Sequence, residues 1–211
     1  MKLCQDAKRP QMEIIRDIEQ GTEEWKRLRL GKVTASKLSA VIMSKSSKTR
    51  ASYMLQLIAE RLTGQPEDSF SSKYMEWGNE CEPQARAMYE FDSGNQVEEV
   101  AFVVYNDGFG VSPDGLVGDD GLLEIKCPKT TTQIERYLKG VFPADYQAQV
   151  QGQMLATGRK WCDFVSFDPR LSGSANYFCV RVYRDDEYIQ KLKLKINEFL
   201  SEMNNLLEEL K

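Results

Sequence analysis

The residues best suited to chemistry in this chain are two carboxylates and a lysine in neighbouring segments. Asp114 follows a serine and a proline at the end of segment 110–114, and segment 122–128 carries Glu124 and Lys126 two positions apart. Because side chains on a strand alternate between its faces, Glu124 and Lys126 are expected to project to the same side. Mg²⁺ is usually held by one or two carboxylates together with substrate phosphate. The pattern predicts a metal-dependent site that cleaves phosphodiester bonds.

The surrounding residues predict how these groups are brought together. Residues 117–121 have the composition of a tight turn, so we expect a hairpin that returns Asp114 toward Glu124. The opposite face of that strand carries Leu123 and Ile125, which indicates a strand in the centre of a sheet. Charged side chains on the second face of a central strand favour a functional role. The alternative is an ordinary Asp-Gly turn next to a solvated charge pair on an edge strand.

Periodicity and capping residues predict an α/β fold in one domain of residues 1–211, with residues 1–20 as a partly ordered arm. The order of elements favours a mixed central sheet flanked by helices. The expected helices cover 22–29, a stretch beginning at Thr34, 52–62, 79–91, 143–158 and the residues from Asp186 onward, and the expected strands cover 97–105, 110–112, the surroundings of Glu124, 162–167 and 177–183. The apolar stripe of the last helix is broad, which favours packing against the sheet over a coiled coil.

The composition excludes several classes of enzyme. The chain has 211 residues and no histidine, which rules out Ser-His-Asp catalysis, Cys-His catalysis and histidine-dependent metalloproteases. Its five cysteines are an odd number without a C-x-x-C pair, which indicates reduced thiols in a cytosol and argues against a zinc site. No apolar run is long enough for a membrane span, and the N-terminus carries no secretion signal. We therefore expect a cytoplasmic protein without a membrane partner.

The distribution of charge favours a nucleic acid as partner, although the net charge of the chain is −4. Residues 25–59 contain no acidic side chain but many basic ones: Lys26, Arg27, Arg29, Lys32, Lys37, Lys45, Lys48 and Arg50. A localised basic segment can bind phosphates within an acidic molecule. A lysine-rich surface that serves only solubility is the alternative.

Five segments carry a resemblance to a known family. Residues 112–114 together with 124–126 resemble the PD-(D/E)xK nuclease signature, and the flanking segments 25–36, 77–86 and 146–151 are similar to those of the lambda-exonuclease-like (YqaJ-type) viral recombinases. The resemblance runs from about residue 21 to the end of the chain. It implies a restriction-endonuclease-like core, which agrees with the α/β fold expected from periodicity.

The resemblance also implies an activity and partners. The expected activity is that of a Mg²⁺-dependent 5′→3′ exonuclease, which degrades one strand of double-stranded DNA from its end to 5′-mononucleotides and leaves a 3′ tail for phage-type homologous recombination. A homotrimeric ring around DNA, a single-strand annealing protein as partner and a phage or prophage gene expressed in the host bacterial cytoplasm are further implications. An endonuclease of the same superfamily, acting in restriction or junction resolution, and a non-catalytic DNA-end-binding protein stay open as alternatives.

The resemblance assigns the catalytic groups as follows. Asp114, Glu124 and the carbonyl of Ile125 are expected to bind Mg²⁺, for which Mn²⁺ can substitute. A second metal ion is expected near Asp114 and Glu82. Lys126 is expected to position the attacking water, to help deprotonate it and to offset charge in the transition state.

Two members of the expected catalytic set also have a purely structural explanation. Glu82 falls in the first turn of its predicted helix, where a carboxylate is favoured by the helix dipole and can pair with Arg86. Gln149 is expected to hydrogen-bond the lysine or the attacking water, but an exposed helical glutamine would look the same in the sequence.

DNA contacts are expected from two further groups of residues. The pocket for a terminal 5′-phosphate would consist of Arg29, Ser36 and Ser112, because guanidinium and hydroxyl groups donate hydrogen bonds to phosphate. Other contacts are expected from Thr34, Lys45, Lys48, Arg50 and Met75, the last as an apolar wedge at the terminal base pair. The sequence does not determine which basic residue of the loop 44–50 contacts the duplex.

Overall fold

The computed structural model describes residues 12–67 and 73–210, without the side chains of residues 73–75. The helices are α1 (Glu23–Arg29), α2 (Leu38–Val41), α3 (Lys48–Thr63), α4 (Lys73–Ser93), α5 (Thr130–Lys139), α6 (Gln147–Thr157) and α7 (Asp186–Glu209). The strands are β1 (Glu13–Ile15), β2 (Val33–Thr34), β3 (Val97–Glu98), β4 (Phe102–Asn106), β5 (Phe109–Val111), β6 (Gly115–Val117), β7 (Gly121–Lys126), β8 (Trp161–Phe167) and β9 (Tyr177–Tyr183). Short 3-10 turns occupy Ala35–Lys37, Ala144–Tyr146 and Ser174–Asn176.

The strands form two mixed sheets. One sheet has the order β1-β4-β5-β2, and the other has the order β3-β6-β7-β8-β9. The α/β class is confirmed, but the single central sheet that we expected is divided. Residues 112–114 connect β5 of the first sheet to β6 of the second, and Pro113 has no backbone N–H with which to continue a ladder.

Strand β7 lies in the middle of the five-stranded sheet and contributes to the hydrophobic core on both faces. Leu122 belongs to the larger core cluster, which also contains buried residues of α6 and α7. Leu123 and Ile125 belong to the smaller cluster, together with Ala85 and Tyr89 of α4. The prediction of a central strand with Leu123 and Ile125 on one face is therefore confirmed.

Helix α7 packs within this chain through its apolar stripe. Its buried residues are Ile189, Leu192, Ile196, Phe199, Met203 and Leu207. Phe199 stacks on Tyr53 of α3 with 5.9 Å between ring centroids, and the Arg50 guanidinium lies 5.0 Å from the Phe199 ring centroid. The helix thus packs within the chain, as expected, but it lies mainly against α2, α3 and α6 instead of against the sheet.

Several helix boundaries differ from the sequence-based expectation. Helix α4 begins at Lys73 instead of residue 79, so Glu82 lies in its middle and the predicted first-turn position of Glu82 is wrong. Gly78 and Pro83 within α4 weaken the helical signal, because glycine and proline are poor helix formers. The expected helix from Thr34 is a 3-10 turn followed by the short α2.

The region around α5 and α6 also departs from the expectation. Helix α5 was not predicted, because its first turn consists of three threonines, whose branched side chains favour strands. Pro143 precedes a 3-10 turn, so α6 begins at Gln147 instead of directly after the proline. Gly158, in the left-handed conformation, ends α6 as expected.

Residues 12–20 of the predicted arm contain β1, which pairs antiparallel with β4, whereas residues 1–11 lie outside the described chain. The single-domain assignment stays a prediction. None of the helices in the described part of the chain combines the length and apolarity that a membrane crossing requires.

We predict that Phe199→Ala lowers the free energy of unfolding by about 3–5 kcal/mol, because it leaves a cavity in the core between α3 and α7. Leu194→Ala on the same helix is the control, since Leu194 is 69% exposed and its truncation should change stability by less than about 0.5 kcal/mol. Urea unfolding of both variants measures the difference. Equal midpoints for the two variants would contradict the packing role of Phe199.

Candidate active site

The hairpin of β6 and β7 places Asp114 beside Glu124. Gly115 pairs with Leu123 in the antiparallel ladder, so Asp114 lies next to Glu124 one position further along. The backbone N–H of Ile125 donates a hydrogen bond to Oδ2 of Asp114, with 2.6 Å between the atoms. The predicted hairpin and its return of Asp114 toward Glu124 are confirmed.

The Glu124 carboxylate is almost fully enclosed, at 1% exposure, and each of its oxygens accepts hydrogen bonds. Oε1 forms an ion pair with Nζ of Lys126 and accepts from Nε2 of Gln149 at 2.5 Å. Oε2 accepts from Nε2 of Gln153 at 2.6 Å. The predicted convergence of Glu124 and Lys126 is therefore present, and Gln149 faces the site as expected.

Gln153 is a residue of this site that sequence reasoning missed. Gln149 and Gln153 are four positions apart on α6, so their side chains share one face of the helix. The segment 147–153 has glutamine at every second position, which obscures the spacing of four in the sequence.

The charges of the site perturb one another. Burial and the neighbouring Glu124 carboxylate raise the pKa of Asp114 well above its usual value, against the opposing effects of Lys126 and the Ile125 N–H. Burial alone would lower the pKa of Lys126, but the charges of Glu124 and Asp114 outweigh it and raise that pKa. These charges favour the ammonium form of Lys126, which fits the predicted positioning and charge-offsetting role, while its help in deprotonating water stays a prediction.

Glu82 reaches the site from α4 and is paired at the same time. Its carboxylate accepts from Nη2 of Arg86 at 2.7 Å, as the spacing of four residues predicts, while Nη1 of Arg86 lies 2.9 Å from Glu99. Burial raises the pKa of Glu82, which Arg86 counteracts and the charge of Glu124 reinforces. Glu82 is thus electrostatically linked to the Asp114–Glu124 pair.

The donor set fits a hard divalent cation better than any softer metal. Two carboxylates, Asp114 and Glu124, face one ammonium, and the remaining negative charge contributes to the raised pKa of Asp114. Among residues 12–67 and 73–210, no group of three or more Asp, Glu, Cys or His side chains is arranged to hold a metal ion. A site with two carboxylates still matches Mg²⁺, which completes its shell with water and substrate oxygens. Coordination of the cation by the Ile125 carbonyl stays a prediction.

A cleft of about 1850 Å³ connects this site to the predicted phosphate-binding residues. Asp114 and Glu82 line the cleft. Arg29, Thr34 and Ser36 line it as well, together with Lys32 and Lys37. Two groups of residues that lie 45 to 85 positions apart in the sequence therefore line the same cleft.

Arg29 is positioned in the cleft by an aromatic ring. Its guanidinium carbon lies 3.8 Å from the centroid of the Trp25 ring. Burial lowers the pKa of Arg29, partly offset by Tyr53 and Glu60, but a guanidinium stays charged at all ordinary pH values. Within the described residues, no carboxylate forms an ion pair with Arg29. Its charge is thus available for an anion.

Ser112 contacts Trp25 instead of the cleft. Its hydroxyl donates to the carbonyl of Ala101 at 2.8 Å and accepts from the indole N–H of Trp25 at 3.0 Å. With its hydroxyl proton already committed, Ser112 holds the ring on which Arg29 rests. These contacts give Ser112 an indirect role in positioning Arg29, and its direct contact with a phosphate stays a prediction.

The loop cations predicted to bind DNA do not line the cleft. Arg50 is 3% exposed, and its guanidinium donates to Glu202 at 2.7 Å, so a DNA contact of Arg50 is disfavoured by its burial and stays untested. Lys45 lies 3.0 Å from Glu198. Lys48 is exposed at the start of α3, and Met75 lies in the first turn of α4 with its side chain outside the described part. DNA contacts of Lys45, Lys48 and Met75 stay predictions.

Comparison with known proteins supports the resemblance seen in the sequence. The YqaJ-like viral recombinase domain matches residues 24–160, which is more than half of the chain. The alkaline exonuclease LHK-Exo from Laribacter hongkongensis is 48% identical, with a TM-score of 0.84 over 90% of this chain and 96% of that chain. The structure of LHK-Exo in complex with dAMP gives 47% identity and a TM-score of 0.85 over the same shares.

A phage-related exonuclease from Haemophilus somnus 129PT shares the fold at 20% identity, with a TM-score of 0.69 over 88% of this chain and 99% of that chain. No curated protein matches the chain.

We predict that Asp114→Asn stabilises the metal-free protein, and does so more at pH 8 than at pH 4. A carboxyl whose pKa is raised by folding stabilises the fold below its unfolded pKa, and this contribution is lost as the pH rises through the folded pKa. Asparagine keeps an oxygen for the Ile125 N–H but carries no charge. Urea unfolding in EDTA at both pH values measures the effect.

The control for this prediction is Asp145→Asn, which changes an exposed aspartate before α6. It should leave the difference between the two pH values unchanged. Destabilisation of the fold by Asp114→Asn at pH 8 would contradict the interpretation that the metal-free site carries excess negative charge.

Proposed function

The chain belongs to the YqaJ-like viral recombinase family, and we propose that it is a Mg²⁺-dependent exonuclease that degrades one strand of double-stranded DNA in the 5′→3′ direction. The observation that carries the proposal is the shared cleft. Asp114 opens into the cleft that Arg29 also lines, so one DNA end can meet both the carboxylates and the guanidinium.

The protein groups divide the hydrolytic step between them. Asp114 and Glu124 would hold the cation, which supplies Lewis-acid polarisation of the scissile phosphate when it is bound. The Lys126 ammonium, paired with Glu124, orients the attacking water and offsets charge that develops on the phosphate. Gln149 and Gln153 keep Glu124 in place during this step. Mn²⁺ prefers the same oxygen ligands and is expected to replace Mg²⁺.

A second cation would be held by Glu82 together with Asp114. The bond to Arg86 occupies Oε1 of Glu82, which leaves the other carboxylate oxygen for a cation. Arg86 can also bind incoming phosphate, because a guanidinium binds phosphate as well as carboxylate.

The proposed 5′→3′ direction of digestion rests on binding of the terminal 5′-phosphate of the DNA. Arg29 carries an unpaired charge within the described residues, and the hydroxyl groups of Thr34 and Ser36 line the same part of the cleft. A 5′-phosphate bound there would place the first phosphodiester bond toward Asp114. The complex of LHK-Exo with dAMP supports a nucleoside monophosphate as the product.

The biological setting is proposed from family membership. A 3′ tail left by 5′→3′ digestion needs a single-strand annealing protein, and phage-type recombination in the host bacterial cytoplasm would use both. A homotrimeric ring would direct the basic segment of each copy toward the duplex and keep the net charge of −4 toward solvent.

We predict that Lys126→Ala lowers the rate of digestion of a linear duplex by more than roughly 10²-fold, because it removes a preorganised charge from the reacting phosphate. Lys160→Ala is the matched control, since Lys160 is exposed and pairs only with Asp120 among the described residues. Release of acid-soluble nucleotides with Mg²⁺ or with EDTA is the measurement. Activity of Lys126→Ala within about tenfold of wild type would rule out its assigned role.

The same assay with a closed circular plasmid separates the proposal from its alternatives. An exonuclease leaves the circle intact, whereas a restriction-type or junction-resolving endonuclease cuts it. A protein that binds linear ends but releases no nucleotide with any divalent cation would be a non-catalytic end-binding protein.

We further predict that a 5′-phosphorylated duplex is degraded faster than a duplex with 5′-hydroxyl ends. Arg29→Ala should remove most of this preference, because one charge-assisted phosphate contact contributes about 1.5–3 kcal/mol. Arg27→Ala, which changes an exposed arginine on the same helix, should retain it. Equal digestion rates of the two kinds of duplex by the wild-type protein would contradict the assignment of the 5′-phosphate pocket.

A further inference from the structure

Two glutamines of α6 are completely buried, and only one of them touches the site. Gln151 and Gln153 are both 0% exposed. Gln151 donates to the carbonyl of Tyr183 at 2.9 Å and accepts from the backbone N–H of Asp185 at 2.9 Å. Both ends of its amide are therefore satisfied by the main chain around β9 and the start of α7.

Gln153 makes a different set of contacts. Its Nε2 donates to Oε2 of Glu124 at 2.6 Å, while its Oε1 is buried without a hydrogen-bond partner among the described residues. A buried carbonyl oxygen without a donor destabilises the fold, whereas the bond from Nε2 satisfies one oxygen of a buried carboxylate. The amide of Gln153 is therefore best explained by its bond to Glu124.

The bond from Gln153 complements those from Lys126 and Gln149. These two residues hold Oε1 of Glu124, so the donor on Oε2 fixes the remaining rotation of the carboxylate about its own axis. Because Glu124 is enclosed, water cannot readily take over this bond if the amide is lost.

The backbone of α6 gives Gln153 little freedom to move. A Cβ atom at the preceding Gly152 would lie 2.1 Å from Cδ1 of Leu38 and 3.7 Å from Cδ2 of Leu192. The helix is thus pressed against α2 and α7 at this point. The distance from Gln153 to strand β7 is set by this packing.

From these contacts, and resting on the proposed function, we infer that Gln153 is a positioning residue for the cation site. It does not touch the substrate or the cation. It orients the Glu124 carboxylate so that the carboxylate and Asp114 can bind one divalent cation together. Groups that hydrogen-bond a metal ligand in this way typically change metal affinity by about 10- to 100-fold when they are removed.

The test compares Gln153→Leu with Gln151→Leu in the full-length chain. Binding of Mn²⁺ is measured by the loss of the free-ion signal in electron paramagnetic resonance, and stability is measured by urea unfolding in EDTA. We expect Gln153→Leu to weaken Mn²⁺ binding by about 10- to 100-fold and also to destabilise the metal-free fold, because Oε2 of Glu124 loses its donor. Gln151→Leu should destabilise the fold as well, because it loses two main-chain partners, but it should leave Mn²⁺ binding at wild-type strength.

Wild-type Mn²⁺ affinity in Gln153→Leu, or equal weakening in both variants, would overturn the inference. If Gln153→Leu does not fold, Gln153→Met replaces it, since methionine adapts its shape to an irregular space. The proposed function is judged separately by nucleotide release from the wild-type protein. Weakened Mn²⁺ binding in the variant of a protein without nuclease activity would support the positioning role and contradict the nuclease.

Discussion

The carboxylate of Glu124 is buried at 1% exposure in the centre of the five-stranded sheet, and much of the surrounding structure serves to satisfy it. A buried charge is tolerated only when it is paired and hydrogen-bonded. Strand β7 supplies Lys126 from the same face, and α6 supplies two amides. The close contact of α6 with α2 and α7 keeps those amides within reach of β7.

The groups that pair with Glu124 leave the negative charge of Asp114 only partly balanced. The hairpin brings this second carboxylate beside the first, and the single ammonium of Lys126 has to serve both. The site is consequently better suited to the presence of a divalent cation than to its absence, which is how binding of a metal is coupled to stability. The same cleft carries Arg29 on a tryptophan ring, and the proposed function places a phosphate there and a cation at the carboxylates.

Local sequence patterns were sufficient where the structure depends on neighbouring residues. Alternation in residues 122–126 and the turn at 117–121 predicted the hairpin, the central strand and the meeting of Asp114 with Glu124, all of which are confirmed. The expected helices 52–62 and 143–158 end at or close to Gly64 and Gly158, both of which adopt the left-handed conformation.

The sequence was least informative where distant parts of the chain determine the surroundings of a residue. Arg50 looked like an exposed cation in a basic loop, but Glu202, which is 152 positions away, draws it into the interior. Ser112 donates to Ala101 and holds Trp25, contacts that no local pattern reveals. The role of Gln153 could not be recognised in a segment with glutamine at every second position, because it depends on the packing of α6 against β7.

The most direct test of this account is the location of the metal ion itself. Anomalous scattering from crystals grown with Mn²⁺ should show a peak within about 2.2 Å of one oxygen of Asp114 and one oxygen of Glu124, the range expected for a hard cation on carboxylate ligands. A peak that contacts neither or only one of these two carboxylates, or no peak at a concentration of Mn²⁺ that supports full activity, would contradict the claim that the pair forms the cation site.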